Sequence, residues 1–139
     1  MNKIMRTSVI AVTGASLLTL AAPLVASASG ASSATSLYNC STLTQRPREI
    51  VLTCADANLY VAHITWSSWS GASAHAKGTL HWNTCTPTCV AGTFKSKSIS
   101  FVATGRRKVK GVWLYTELKG QKNTWTTGSA LYSLPTSSL

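Results

Sequence analysis

Four cysteines, Cys40, Cys54, Cys85 and Cys89, constrain this chain of 139 residues more than any other feature. An even number in a short chain reads as two disulfides, and so as folding in an oxidising compartment. Three connectivities exist. Local loop closure favours Cys40 with Cys54 and Cys85 with Cys89, which leaves no thiol unpaired. On the chain-entropy model the longer loop contributes about 3 kcal/mol and the shorter about 2 kcal/mol. Thiol catalysis needs a free thiolate beside a histidine, and such pairing disfavours it.

The start of the chain agrees with export. Lys3 and Arg6 precede an uncharged apolar run over residues 8–26, which exits through Ala26-Ser27-Ala28. These are the parts of a secretory signal peptide, and we place it at residues 1–28. A transmembrane anchor would need a purer run than one diluted by Thr13, Gly14, Ser16, Thr19 and Pro23. A lipid anchor would need a cysteine directly after the run, and a twin-arginine signal is absent. The expected localisation is therefore secreted, with no transmembrane anchor after processing.

Cleavage leaves 111 residues, enough for one domain with a modest core. Without Lys3 and Arg6, the remaining bases outnumber Glu49, Asp56 and Glu117 by a net charge of +8. So basic a surface attracts anionic partners outside the cell, such as wall polymers, acidic lipid, nucleic acid or an acidic protein.

Residues 29–46 begin with Ser, Ala, Thr and Gly and read as a flexible linker. Pro47 opens the β domain, residues 47–134, with 135–139 as a tail. Ile50, Leu52 and Cys54 alternate in a first strand, Asp56-Ala-Asn58 has turn chemistry, and residues 59–66 return as its hairpin partner. Residues 73–83 read as a third strand, and 84–92 as a disulfide-pinned turn around Pro87. Strands are predicted over 98–104 and 109–118, with a corner at Gly105-Arg-Arg-Lys108, and a last one over 124–131. No stretch holds helical periodicity for three turns. The expected fold is all-β, a small disulfide-stapled sandwich or barrel of about six or seven strands behind a signal peptide.

Two binding constellations stand out. Trp66-Ser-Ser-Trp69 places two indoles together, either as core or as a platform for stacking a sugar ring or base, and core packing has the greater weight. Trp82, Trp113 and Trp125 read as packing residues. Arg106, Arg107, Lys108 and Lys110 form a basic hairpin end, with Lys95 and Lys97 before it and Lys119 and Lys122 beyond. No nucleic-acid fold or run of interleaved aromatics accompanies these charges, so nucleic acid is disfavoured as partner.

Catalytic and metal signatures are weak. His81, Cys85 and Cys89 would align as ligands only on a helix, which the Asn-Thr-Cys-Thr-Pro-Thr-Cys chemistry forbids, and oxidised cysteines do not ligate. No cofactor is expected. Serine catalysis lacks an assembled partner set. Asp56 and Glu117 are the remaining carboxylate pair for a small hydrolase, although a turn explains Asp56.

Pro47-x2-Ile50-x-Leu52-x-Cys54-Ala-Asp56, Trp66-Ser-x-Trp69, Ala76-x-Gly78 and Cys85-x-Pro87-x-Cys89-x2-Gly92-x-Phe94 together resemble a group of small exported actinobacterial proteins without an assigned activity. The resemblance spans roughly residues 47–118. It implies the same exported β domain and carries no site with it.

The expected function is a secreted, non-catalytic, basic binding domain for the cell envelope or an anionic extracellular polymer. Its expected binding residues are Trp66, Trp69, Arg106, Arg107, Lys108 and Lys110. The rival expectations are an inhibitor or toxin-like effector that presents the pinned 84–92 loop to an extracellular protein, and a small hydrolase.

Overall fold

A computed structural model describes residues 34–138. The predicted signal peptide, residues 1–28, lies outside the described residues, as do residues 29–33 of the predicted linker. No helix forms among the described residues, so none is long and apolar enough to cross a membrane.

Among the described residues ten strands follow in chain order: β1 (Thr35–Asn39), β2 (Thr42–Thr44), β3 (Ile50–Val51), β4 (Leu59–Trp66), β5 (Ala74–Asn83), β6 (Phe94–Thr104), β7 (Arg107–Val109), β8 (Val112–Leu114), β9 (Glu117–Lys119) and β10 (Leu131–Ser133). They form a four-stranded sheet in the order β2-β1-β8-β7 and a curled six-stranded sheet in the order β10-β9-β6-β5-β4-β3. The all-β class agrees with expectation. The larger strand number comes from short pieces that local alternation does not mark.

The centre of the large sheet is where period-two patterning is strongest. Along β5, Ala74, Ala76 and Leu80 are buried while His75 and Lys77 are exposed. β6 pairs with β5 without a slip from Ala74↔Ala103 to Asn83↔Phe94, so Ile99, Phe101 and Ala103 share the inner face. Leu37, Ile50, Val61, Leu80, Tyr115, Leu118 and Trp125 complete the core, each 0 or 1 % exposed. Burial of each such side chain contributes roughly 1.5–3 kcal/mol.

Two of the three chain crossings between the sheets lie side by side. β6 leaves through Gly105, and β8 enters β9 through Tyr115 and Thr116. Thr116 donates its backbone N–H to Thr104 O (3.0 Å) and its hydroxyl to Gly105 O (3.0 Å). Gly105 takes φ 66°, and a Cβ there would stand 2.6 Å from Thr116 Oγ1, so the crossing needs glycine.

Three expectations are corrected. Residues 35–44, read as flexible linker, carry β1 and β2. Their Ser/Thr content hides a strand that gains hydrogen bonds on both edges, antiparallel to β2 and parallel to β8, and buries Leu37. The single strand expected over 109–118 is broken. Lys110 (φ 45°) and Gly111 (φ 87°) make a two-residue primed turn between Val109 and Val112, so the hairpin turns there and not at Gly105–Lys108. The last strand lies at Leu131–Ser133, later than 124–131. The preceding residues turn through Asn123 and Gly128, both at positive φ, and drop Trp125 into the core with its Nε1 donating to Ala130 O at 3.2 Å.

The disulfides are Cys40–Cys54 and Cys85–Cys89, and no free cysteine remains among the described residues. Cys40–Cys54 joins the end of β1 to the segment after β3. Asn39 reinforces that junction by accepting the Val51 N–H at 2.8 Å and donating to Glu49 O at 3.1 Å. Asp56 closes the β3–β4 turn as expected. Its carboxylate accepts the Asn58 N–H at 3.1 Å and the Asn58 side-chain amide at 2.7 Å. The Asn58 backbone bond, with help from Thr53, holds the Asp56 carboxyl below its ordinary range.

Candidate functional site

Trp66 and Trp69 are tied into the fold. Their rings meet edge to face, 4.5 Å between centroids at 80°, and pack on Phe101 and Tyr115 respectively. Each indole N–H is committed to backbone, Trp66 to Pro47 O and Trp69 to Thr35 O, both at 2.8 Å. The pair presents no parallel faces for stacking, and it anchors the chain before β3 and the first residue of β1 to the core. Core packing is the better account of both.

The expected basic hairpin divides. The Arg106 guanidinium lies 4.0 Å from the Trp113 ring centroid, and its Nε donates to Thr35 Oγ1 at 2.8 Å, so it joins β1 to the β7–β8 hairpin. Arg107, Lys108 and Lys110 are exposed on β7 and its turn. None of the four lines the groove described below.

The histidines do not converge on a metal. No group of three or more His, Cys, Asp or Glu stands close enough to hold an ion among the described residues. His63 and His75 are exposed, whereas His81 lies parallel to the Tyr60 ring at 4.7 Å and 7°, its Nε2 buried without a hydrogen-bond partner. Asp56 is engaged in its turn, and Glu117 sits on β9. Neither lines the groove.

The structure brings together a set of residues that sequence reasoning left scattered. β4 and β5 run in register from Leu59↔Trp82 to Ala62↔Thr79, slip, and resume at Thr65↔Lys77. His63 and Ile64 therefore oppose Gly78 alone, which is a β-bulge. His63 adopts φ 53° and turns outward, while Ile64 stays in the core. Gly78 permits this approach, because a Cβ there would stand 2.9 Å from Val61 Cγ1 and 3.0 Å from Ala62 O.

On the outer face next to this bulge lie two adjoining hollows of about 660 and 870 Å³ that share Thr65, Lys77, Ser100 and Gln121. Their floor is β5 and β6, where Lys77 pairs with Ser100 and Thr79 with Ser98. β9 covers β6 only at Val102, Ala103 and Thr104. Beyond that point the 120–124 segment forms the wall, held by Lys97 Nζ donating to Asn123 O at 2.8 Å. Lys77, Lys119 and Lys122 present exposed ammonium groups, His63 and His75 flank them, and the lining contains no Asp or Glu. The groove thus combines fixed positive charge with a floor of hydroxyl donors and acceptors.

A second cluster stands further along the same face. His81 follows Thr79 by two residues and so shares its side of β5. Tyr60 stacks on it, and Phe94 leans against Tyr60 at 5.9 Å and 57°. Phe94 remains 52 % exposed. The pinned loop begins beyond this cluster. Asn83 braces it by donating Nδ2–H to Cys89 O (2.8 Å) and to Asn58 Oδ1 (3.0 Å), and by accepting the Cys85 N–H (2.9 Å). Val90 at its tip is 99 % exposed.

The groove left a trace in the sequence. Polar residues alternate as His75-x-Lys77-x-Thr79 and Ser96-x-Ser98-x-Ser100, which marks a solvated sheet face. The loop that brings Lys122 beside Lys77 left none. Comparison of the chain with protein-family models, curated proteins and solved structures returned no match.

Proposed function

We propose that this protein is an exported, non-catalytic binding domain that holds an anionic extracellular polymer, such as one of the cell envelope, in the groove on the outer face of β4, β5 and β6. One observation carries the reading: four lysines and two histidines line the groove, and no carboxylate does. Two disulfides in a small chain are compatible with an extracellular setting. The reading moves the binding residues from Trp66, Trp69 and the Arg106–Lys110 corner to Lys77, Lys119 and Lys122, with Arg107, Lys108 and Lys110 adding to the positive field.

Sedimentation of the purified protein with cell walls or a soluble polyanion, at rising ionic strength, tests it. Binding is expected at low salt and is screened away as the Debye length shortens. Replacing Lys77, Lys119 and Lys122 together by Ala should weaken binding about tenfold or more at low salt. Absence of binding at low ionic strength would remove the idea.

The inhibitor or effector reading has one observation in its favour, the braced 84–92 loop that presents Val90 to solvent. A rigid projection binds with little loss of conformational entropy. Its signature would be salt-insensitive binding to one protein, abolished by changes at Thr86–Thr88 or at Val90.

A further inference from the structure

The proposed groove and the exposed aromatic cluster lie on one sheet face, and their juxtaposition narrows the polymer. Resting on the groove reading, we infer that the ligand is an anionic glycan, with its charged groups at Lys77, Lys119 and Lys122 and one sugar ring stacked on the Phe94–Tyr60 surface.

Spacing along β5 sets the scale of the ligand. β5 runs unbroken from Lys77 through Thr79 to His81, and its pairing with β6 is regular throughout. Four residues at about 3.3 Å each put the aromatic cluster roughly 13 Å along the strand from Lys77. A few linked sugar rings span such a distance. The floor between the two ends carries Thr79, Ser98 and, beside the cluster, Ser96, groups that exchange hydrogen bonds with sugar hydroxyls.

Aromatic exposure then decides between polymer classes. Among the described residues, Trp66, Trp69 and Trp125 pack into or against the core, whereas Phe94 keeps half its surface in water. An exposed phenyl ring does nothing for a polyanion without rings, but it matches the apolar C–H face of a pyranose. Tyr60 stacks on His81 and leans against Phe94, so the two rings form one surface. Single-stranded nucleic acid would use successive aromatic platforms for successive bases. This face offers one cluster, followed by hydroxyls and lysines, which suits a sugar chain better.

The test titrates the protein, its Phe94→Ala and Phe94→Trp variants and its Lys77→Ala/Lys119→Ala variant with four probes at fixed low salt. The probes are polygalacturonate, inorganic polyphosphate, poly-L-glutamate and a single-stranded oligodeoxynucleotide. Phe94 is exposed, so its replacement leaves the core intact, and thermal unfolding verifies this. Polygalacturonate is expected to bind, to lose roughly tenfold in affinity with Phe94→Ala, and to be restored by Phe94→Trp. Polyphosphate and polyglutamate should respond to the lysine variant and ignore Phe94. If Phe94→Ala leaves polygalacturonate binding unchanged while the lysine variant weakens it, the glycan inference falls and the polyanion groove stands. Tighter, Phe94-dependent binding of the oligonucleotide would overturn the inference in favour of nucleic acid. If none of the polymers binds, the inference fails together with the groove reading on which it rests.

Discussion

The inner and outer faces of β4, β5 and β6 are made from the same three strands, residue by residue in alternation, and they differ in almost every property. Inward go Val61, Ile64, Ala76, Leu80, Ile99 and Phe101, all buried. Outward go Thr65, Lys77, Thr79, Ser98 and Ser100. Stability is concentrated on one face and the capacity to meet a ligand on the other. The bulge at His63–Ile64 keeps the two sets separate, because it absorbs one residue without sending Ile64 to water or His63 into the core. This face therefore allows binding residues to change with little effect on the fold.

The largest effect is expected from substitutions at neighbouring positions on opposite faces. Phe101→Ala should destabilise by about 3–5 kcal/mol in chemical denaturation, since it removes a ring packed against Trp66 and Trp125. Ser100→Ala, one residue away, should stay within about 0.5 kcal/mol. Comparable losses at both would mean that the faces are not separate. Opening the Cys40–Cys54 loop by changing both residues to serine should cost about 3 kcal/mol, more than the same change at Cys85 and Cys89, whose sequence separation is 4 against 14. Calorimetry of the two variants would reverse this ranking if the 84–92 loop were the more important staple.

Gly78→Ala probes the boundary itself. A methyl group has nowhere to go between Val61 Cγ1 and Ala62 O, so a cost of roughly 1–3 kcal/mol is expected, together with a shift in the His63 resonances as the bulge moves. A silent substitution would show the bulge to be soft. The smallest effect is alkaline. Burial pushes the phenols of Tyr115 and Tyr132 above their ordinary value of 10.0, while the unfolded chain titrates near that value. The stability this contributes is complete below pH 10 and is lost as the pH rises through the folded values. Unfolding midpoints measured from pH 8 to 11 should fall only at the alkaline end. Lys77, on the outer face, should leave that profile unchanged when replaced.

Local chemistry explains what could be read in advance. Asp56 and Asn58 carry their turn in two residues, Cys85 and Cys89 close a loop within reach of each other, and the alternation around Leu80 needs no distant partner. The failures share the opposite character. β1 looks like a linker because its support comes from β8, far along the chain, and Trp125 looks like a strand residue because the loop that buries it has no period. The Trp66–Trp69 pair is conspicuous in sequence, yet its indole donors are consumed by Pro47 and Thr35. The groove was invisible as a whole because Lys77, Lys119 and Lys122 converge only through the path of the 120–124 segment.

The parallel pairing of β1 with β8 also bears on the order of assembly. Thr35 and Arg106 are bonded partners 71 residues apart in the chain, and Thr35 pairs in register with Trp113. The β4–β5 and β5–β6 hairpins close on themselves and require no such wait, whereas a contact of that separation meets its loop-closure cost before any reward arrives. The pairing of β1 with β8 is therefore expected among the last contacts to form, which leaves that edge of β1 exposed until residue 114 is in place. Anything that shortens the chain before β8 would leave that edge open to pairing with another copy.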